Sequence, residues 1–218
     1  MKSHRVVLFG ELLMRLDTLR HERFVQSQNF EIRYTGGEAN AGVVLAGFGV
    51  DCELVAAAPE NEIGQACVNS LRRYGLGIQY FQRRGPRLGI VYVENGAANR
   101  PSKVIYDRAG SSFSQLWVGD VPWSTILRPG DWLHFTGTAP ALSYDLVDLT
   151  IEGCQAAKSL GCTVSCDLNY RSTLWTIDAA RAAMIRIAPH LDVLIANEEH
   201  ARQLLGAPPA KNAGAADV

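Results

Sequence analysis

The chain has 218 residues, 47% of them hydrophobic and 20% charged, and a formal net charge of −1. That length can bury one substantial core, as a single α/β domain or a domain with a small appendage, and the balanced charge offers nothing to a nucleic acid or a membrane surface. No apolar run approaches a spanning helix, and the Met1-Lys2-Ser3-His4-Arg5 start leads into a strand instead of a signal-peptide core, so a cytoplasmic protein is expected. The five cysteines, Cys52, Cys67, Cys154, Cys162 and Cys166, are odd in number and form no C-x-x-C pair. They read as small buried hydrophobes, with neither a zinc site nor a disulfide framework implied.

In chain order, residues 5–9 form a buried strand that Gly10 ends. The alternation of Phe30, Ile32 and Tyr34 with Glu31 and Arg33 predicts a further strand with two distinct faces. A helix over 38–48, with Val43, Leu45, Ala46 and Phe48 as its apolar side, closes at Gly49. A strand follows at 52–57, then a helix marked by the stripe Ile63, Cys67, Leu71 and Tyr74 and stopped by Gly75. Residues 89–93 and 103–106 read as a hairpin-like pair around a polar connection. After Pro129-Gly130 come a strand at 131–135 and a helix capped by Ser143, with Val147, Ile151 and Cys154 inward and Gly161 at its end. Strand 163–168, helix 178–188, strand 193–196 and helix 198–205 complete the pattern. Such alternation predicts a parallel sheet covered by helices on both faces, with ligands at the carboxyl ends of its strands. The strands at 30–35, 89–93 and 103–106 break the rhythm and predict an extra small sheet.

Three strings carry the candidate chemistry. In Tyr34-Thr35-Gly36-Gly37-Glu38-Ala39-Asn40 two glycines end a strand where a helix begins, so backbone N–H groups and the positive end of the helix dipole can face an oxygen-rich or anionic ligand. A tight turn that needs glycine is the plainer reading of that pair alone. Within Arg100-Pro101-Ser102-Lys103-Val104-Ile105-Tyr106-Asp107-Arg108, Tyr106 and Arg108 lie two apart and share one strand face. In Cys166-Asp167-Leu168-Asn169-Tyr170-Arg171, Arg171 falls just past a core strand.

In this order and at these spacings the chain resembles the PfkB (ribokinase-like) carbohydrate kinases, most closely their 2-keto-3-deoxygluconate kinase branch, from Val6-Val7-Leu8-Phe9-Gly10-Glu11 through Ala196-Asn197-Glu198-Glu199. The resemblance implies a ribokinase-like α/β/α sandwich over residues 1–218 with a β lid in segments 12–35 and 86–112. It implies phosphorylation of a sugar acid at a primary hydroxyl, with ATP and Mg2+. Gly36, Gly37, Asn40, Tyr106, Arg108 and Arg171 would bind the sugar. Asn169, Arg171, Asn197 and Glu199 would lie on the nucleotide side, with Asp167 orienting its loop. A homo-oligomer is expected of the complete protein.

The sequence departs from the family in several places. The string Asp-Thr-x-Gly-Ala-Gly-Asp, which carries the anion hole and the base, is not found. Gly214-Ala215-Ala216-Asp217 only resembles part of it, so a C-terminally truncated fold that is inactive alone is expected, with no catalytic residue assigned and the metal ligands open. His200 stands where the family has an acid, so either Glu199 substitutes or the metal site is weakened; His200 itself reads as an exposed helix residue. Relatives often carry an aromatic at the position of Val91, and Tyr92, one residue later, falls on the other strand face. No G-x-x-x-x-G-K-[ST] string occurs. A fructokinase or other PfkB hexose kinase, and a catalytically dead sugar-binding or interaction protein, are the alternatives.

Overall fold

The computed structural model describes residues 5–208, so Gly214 to Asp217 lie outside the described residues. Strand β1 (Val6–Phe9) is an unbroken apolar run, and β2 (Leu13–Thr18) and β3 (Phe30–Thr35) follow before helix α1 (Gly37–Gly47). Next come β4 (Cys52–Val55), the short β5 (Ala57–Ala58), α2 (Glu62–Arg72), β6 (Gln82–Arg83), β7 (Gly89–Glu94) and β8 (Lys103–Asp107). The rest is α3 (Trp123–Ile126), β9 (Trp132–Thr136), α4 (Tyr144–Ser159), β10 (Thr163–Asp167), α5 (Ile177–Ile187), β11 (Val193–Ile195) and α6 (Glu198–Leu205).

The main sheet runs β11-β10-β9-β1-β4 with every pair parallel. Phe9 pairs with Phe135 and Phe135 with Cys166, so the strands end in step. Their carboxyl ends therefore deliver Gly10, Thr136 and Asp167 to one rim. The second sheet runs β3-β2-β7-β8, with two antiparallel hairpin pairs joined by the parallel pair of β2 and β7. Its strands fall within the segments 12–35 and 86–112.

One face of the main sheet packs against α3, α4 and α5 through Phe9, Phe113, Trp123, Phe135, Leu146 and Met184. Phe9 sits 5.1 Å from Phe113 and 5.2 Å, edge-on, from Trp123. The other face packs Leu8 and Leu54 against α2 through Cys67 and Leu71. All five cysteines are free and buried. Among the described residues no helix is long and apolar enough to cross a membrane.

Local capping follows the sequence. The Ser143 hydroxyl accepts the Leu146 N–H at 3.1 Å to start α4, and Gly161, with φ of 68°, turns the chain out of it. The two glycine-flanked helices differ from expectation in rotation. α1 buries Glu38, Ala39 and Gly42, while Phe48, expected inward, is 82% exposed. A Cβ on Gly42 would lie 2.6 Å from Leu8, so α1 approaches the sheet closely on its small residues while Val44 and Phe48 face outward. Likewise α2 buries Gly64, Cys67, Val68 and Leu71, leaving Ile63 and Tyr74 half exposed.

Candidate functional site

Two buried acids organise the rim. Glu38, in the first turn of α1, accepts the Thr136 N–H at 2.9 Å and so ties that helix to the end of β9. Gly10 leaves it room, because a Cβ there would meet the Glu38 carboxylate at 2.0 Å. Complete burial pushes the Glu38 carboxyl up from its ordinary value, against the pull of its hydrogen bonds. Glu11, just past β1, accepts the Arg108 Nε–H and the Ser111 hydroxyl, each at 2.5 Å. Burial pushes Glu11 up too, opposed by the Arg108 guanidinium.

Above this rim lies a cavity of about 490 Å³ between the main sheet and the small one. Gly36, Gly37, Asn40, Asn169 and Arg171 line it from the core side, and Tyr106 and Arg108 from the small sheet. Seven residues named from sequence thus meet on one wall or the other. Gly36 has an extended backbone, φ 178°, and its constraint is space: a Cβ would stand 2.5 Å from the Glu11 carbonyl oxygen. The Asn40 amide reaches back to the Thr35 hydroxyl at 3.2 Å. Asn169 adopts φ of 35°, in the left-handed region that asparagine tolerates, and donates its N–H to the Asp167 carboxylate at 3.0 Å. Arg108 carries its guanidinium carbon 5.8 Å from the Tyr106 ring centre. Val91 lines the cavity while Tyr92 packs on the opposite face at 6.2 Å from Phe30, as the one-residue offset requires.

Asn197 and Glu199 are not brought to that cavity. They line a separate open recess of about 520 Å³ with Glu198 and Arg202. The Asn197 side-chain oxygen is committed to the His200 N–H at 2.7 Å as the cap of α6, and Glu199 accepts from Gln203 at 2.9 Å. His200, expected to be exposed, is half covered by Tyr170, edge-on at 5.4 Å. Among the described residues no group of three or more His, Cys, Asp or Glu could hold a metal ion. The residues present therefore do not form a protein cage for Mg2+, which commonly keeps much of its water and binds through phosphate oxygens.

Among the cavity-lining residues that sequence reasoning passed over are Glu11, Glu38 and Arg15. Arg15 is held by Asp17 through contacts of 2.7 to 3.1 Å. The alternation of Leu13, Arg15 and Asp17 with Met14 and Leu16 is the signal that marks β2 and this inward face.

A parallel sheet whose strands end in step below a glycine-led helix and a guanidinium-lined cavity defines an α/β protein built to hold a small polar ligand. The chain belongs to the pfkB family of carbohydrate kinases, whose family model matches residues 3–217. It is 33% identical over 200 residues to a 2-dehydro-3-deoxygalactonokinase of Haloferax volcanii, covering 92% of this chain and 63% of that protein. A 2-dehydro-3-deoxygluconokinase of Thermoproteus tenax is 29% identical over 205 residues, with 92% and 62% covered. The crystal structure of a 2-dehydro-3-deoxygluconokinase of Thermotoga maritima superposes with a TM-score of 0.90 at 42% identity, covering 94% of this chain and 63% of that one. The fold is therefore ribokinase-like, and the chain spans less than two thirds of the length of these relatives.

Proposed function

We propose that the cavity is the sugar site of an ATP-dependent kinase acting on 2-keto-3-deoxygluconate or a related sugar acid at a primary hydroxyl. The carrying observation is the meeting, in one cavity, of the Gly36-Gly37 turn, Asn40 and the guanidinium groups of Arg15, Arg108 and Arg171. A sugar acid offers hydroxyls and one carboxylate, which such a wall matches with amide donors and a fixed cation. Arg108 is paired with Glu11 and Arg15 with Asp17, whereas Arg171 has no ion-pair partner among the described residues. The segments 12–35 and 86–112 serve as a lid, and Asn169, Arg171, Asn197 and Glu199 face the nucleotide. Phosphoryl transfer needs a base and an anion hole beside the acceptor hydroxyl. Those groups belong to the motif not found in these residues, so the chain as given binds without turning over. The protein works in the cytoplasm, and the complete protein assembles as a homo-oligomer.

The pairing of both lid arginines with acids favours a second reading, a hexose kinase whose substrate carries no charge. One experiment separates the two. Arg108→Ala is expected to weaken binding of the sugar acid by about 1.5–3 kcal/mol and a neutral ketose far less, because a charge-assisted contact is lost. Equal losses would support the hexose reading. ADP release by residues 1–218 is expected at the no-enzyme blank; clear turnover would mean the transfer groups are present.

A further inference from the structure

The backbone passes between the core and the lid four times: after β1, before α1, before β7 and after β8. Glu11 stands at every one of these crossings. It is itself the first crossing. Its carbonyl oxygen faces Gly36 so closely that a Cβ would sit at 2.5 Å, and its Oε1 would lie 2.8 Å from a Cβ on Gly89. The last crossing is held by the Arg108 Nε–H and the Ser111 hydroxyl, both donating to its carboxylate at 2.5 Å. The Glu11 side chain is 1% exposed and that of Arg108 only 11%, so neither exchanges this partner for water at no cost. The contact uses the Nε edge of Arg108. Its terminal nitrogens have no acceptor among the described residues, and the residue lines the cavity.

We propose that Glu11 is a positioning residue: it fixes the Nε edge of Arg108 so that the terminal nitrogens address the ligand, and it ties the place of that guanidinium to the place of the lid. A guanidinium free to swing would still be charged, but it would spend part of its time away from the productive geometry. Glu11 touches no substrate in this arrangement and acts only through Arg108. The proposal rests on the reading of Arg108 as a sugar-acid contact.

The test uses the 218-residue chain, titrated calorimetrically with 2-keto-3-deoxygluconate and with a neutral ketose. Glu11→Ala and Arg108→Ala are each expected to weaken the sugar acid about tenfold or more and the ketose by less than about twofold, and the double variant to bind no worse than Arg108→Ala alone. Glu11→Gln, which keeps the side-chain shape, covers the case in which the alanine variant fails to fold; it is expected to weaken the acid by a smaller factor. The Arg108 Nε–H proton, followed by NMR without ligand, is expected to be protected from exchange with water in the parent chain and unprotected in the Glu11 variants. Additive losses, equal losses for both ligands, tighter acid binding by Glu11→Gln, or an unprotected Nε–H in the parent chain would each overturn the positioning role. If Arg108→Ala leaves acid binding unchanged, the substrate reading falls first and takes this role with it. If Arg108→Ala weakens the acid and the Glu11 variants do not, the positioning role alone falls.

Discussion

At the carboxyl ends of β1 and β9 the chain is enclosed from several directions, by α1 below, the small sheet above and the Arg171 loop beside. At β11, the last strand of the same sheet, Leu194 and Ile195 are 40% and 51% exposed and α6 buries only Leu204. The two regions share a βα design yet differ in the reach of their contacts. Glu11 and Arg108 are 97 residues apart, and Glu38 and Thr136 are 98 apart. Two side-chain bonds of α6 stay local, Asn197 to His200 and Glu199 to Gln203, and its links outward include the Arg181 guanidinium on the Gln203 carbonyl at 2.9 Å and the edge-on Tyr170 ring against His200. Enclosure here comes from long-range partners, and a helix that caps well on its own is not thereby anchored.

The largest expected effect is on amide hydrogen exchange. Residues 193–205 should exchange faster than Val6–Phe9 by orders of magnitude, because edge strands and shallow helices open without global unfolding. The exposed apolar groups at this edge should also make the chain self-associate as concentration rises. Equal protection in both regions, in a compact monomer at high concentration, would erase the contrast.

Gly36→Ala attacks the enclosed region directly. The added methyl meets the backbone oxygen of Glu11, which cannot rotate away, so urea denaturation should show a loss of about 1–3 kcal/mol. A matched Gly206→Ala change beside α6 meets no atom, though its φ of 67° is strained for alanine, and should cost about 1 kcal/mol. The reverse ranking would mean that the backbone at Glu11 gives way to the added methyl.

The smallest effect is one of pH. The folded-state Glu38 carboxyl lies above its ordinary 4.5, so the folded protein holds that proton more tightly than the unfolded chain. Stability from neutral Glu38 is full below the unfolded value and is lost as pH rises through the folded one. Glu38→Gln, always neutral, should therefore compare least favourably with the parent at acid pH and gain on it as the pH rises, read by melting temperature. A gap that widens with pH would show that Glu38 is ionised in the fold.

Much of this architecture is legible in local patterns. The Gly36-Gly37 turn and the Ser143 cap are each written within a few residues, and the pair 89–94 with 103–107 and the alternation of strands and helices in runs of neighbouring residues. The phase of α1 is not, because the contact of Gly42 with Leu8 and Leu76 outweighs the apolar stripe that ends in Phe48. Glu11 carries no local mark of its role; its partners Arg108 and Ser111 lie 97 and 100 residues further along the chain. Asn197 and Glu199 occur in a string as recognisable as the others, yet only coordinates reveal that their recess is separate from the cavity.

The buried thiols give the molecule a set of internal clocks. Cys67, on α2, and Cys154, on α4, lie on opposite faces of the main sheet, and burial pushes each up to about 12, so almost no thiolate exists at neutral pH while the chain stays closed. A thiol reagent can reach them only when the packing around each one parts. Cys67 reports on the layer of α1 and α2, Cys154 on the layer of α4 and α5, and Cys166, on β10 next to the open edge, on the sheet between them. The order in which these sulfurs are modified is the order in which the layers come apart.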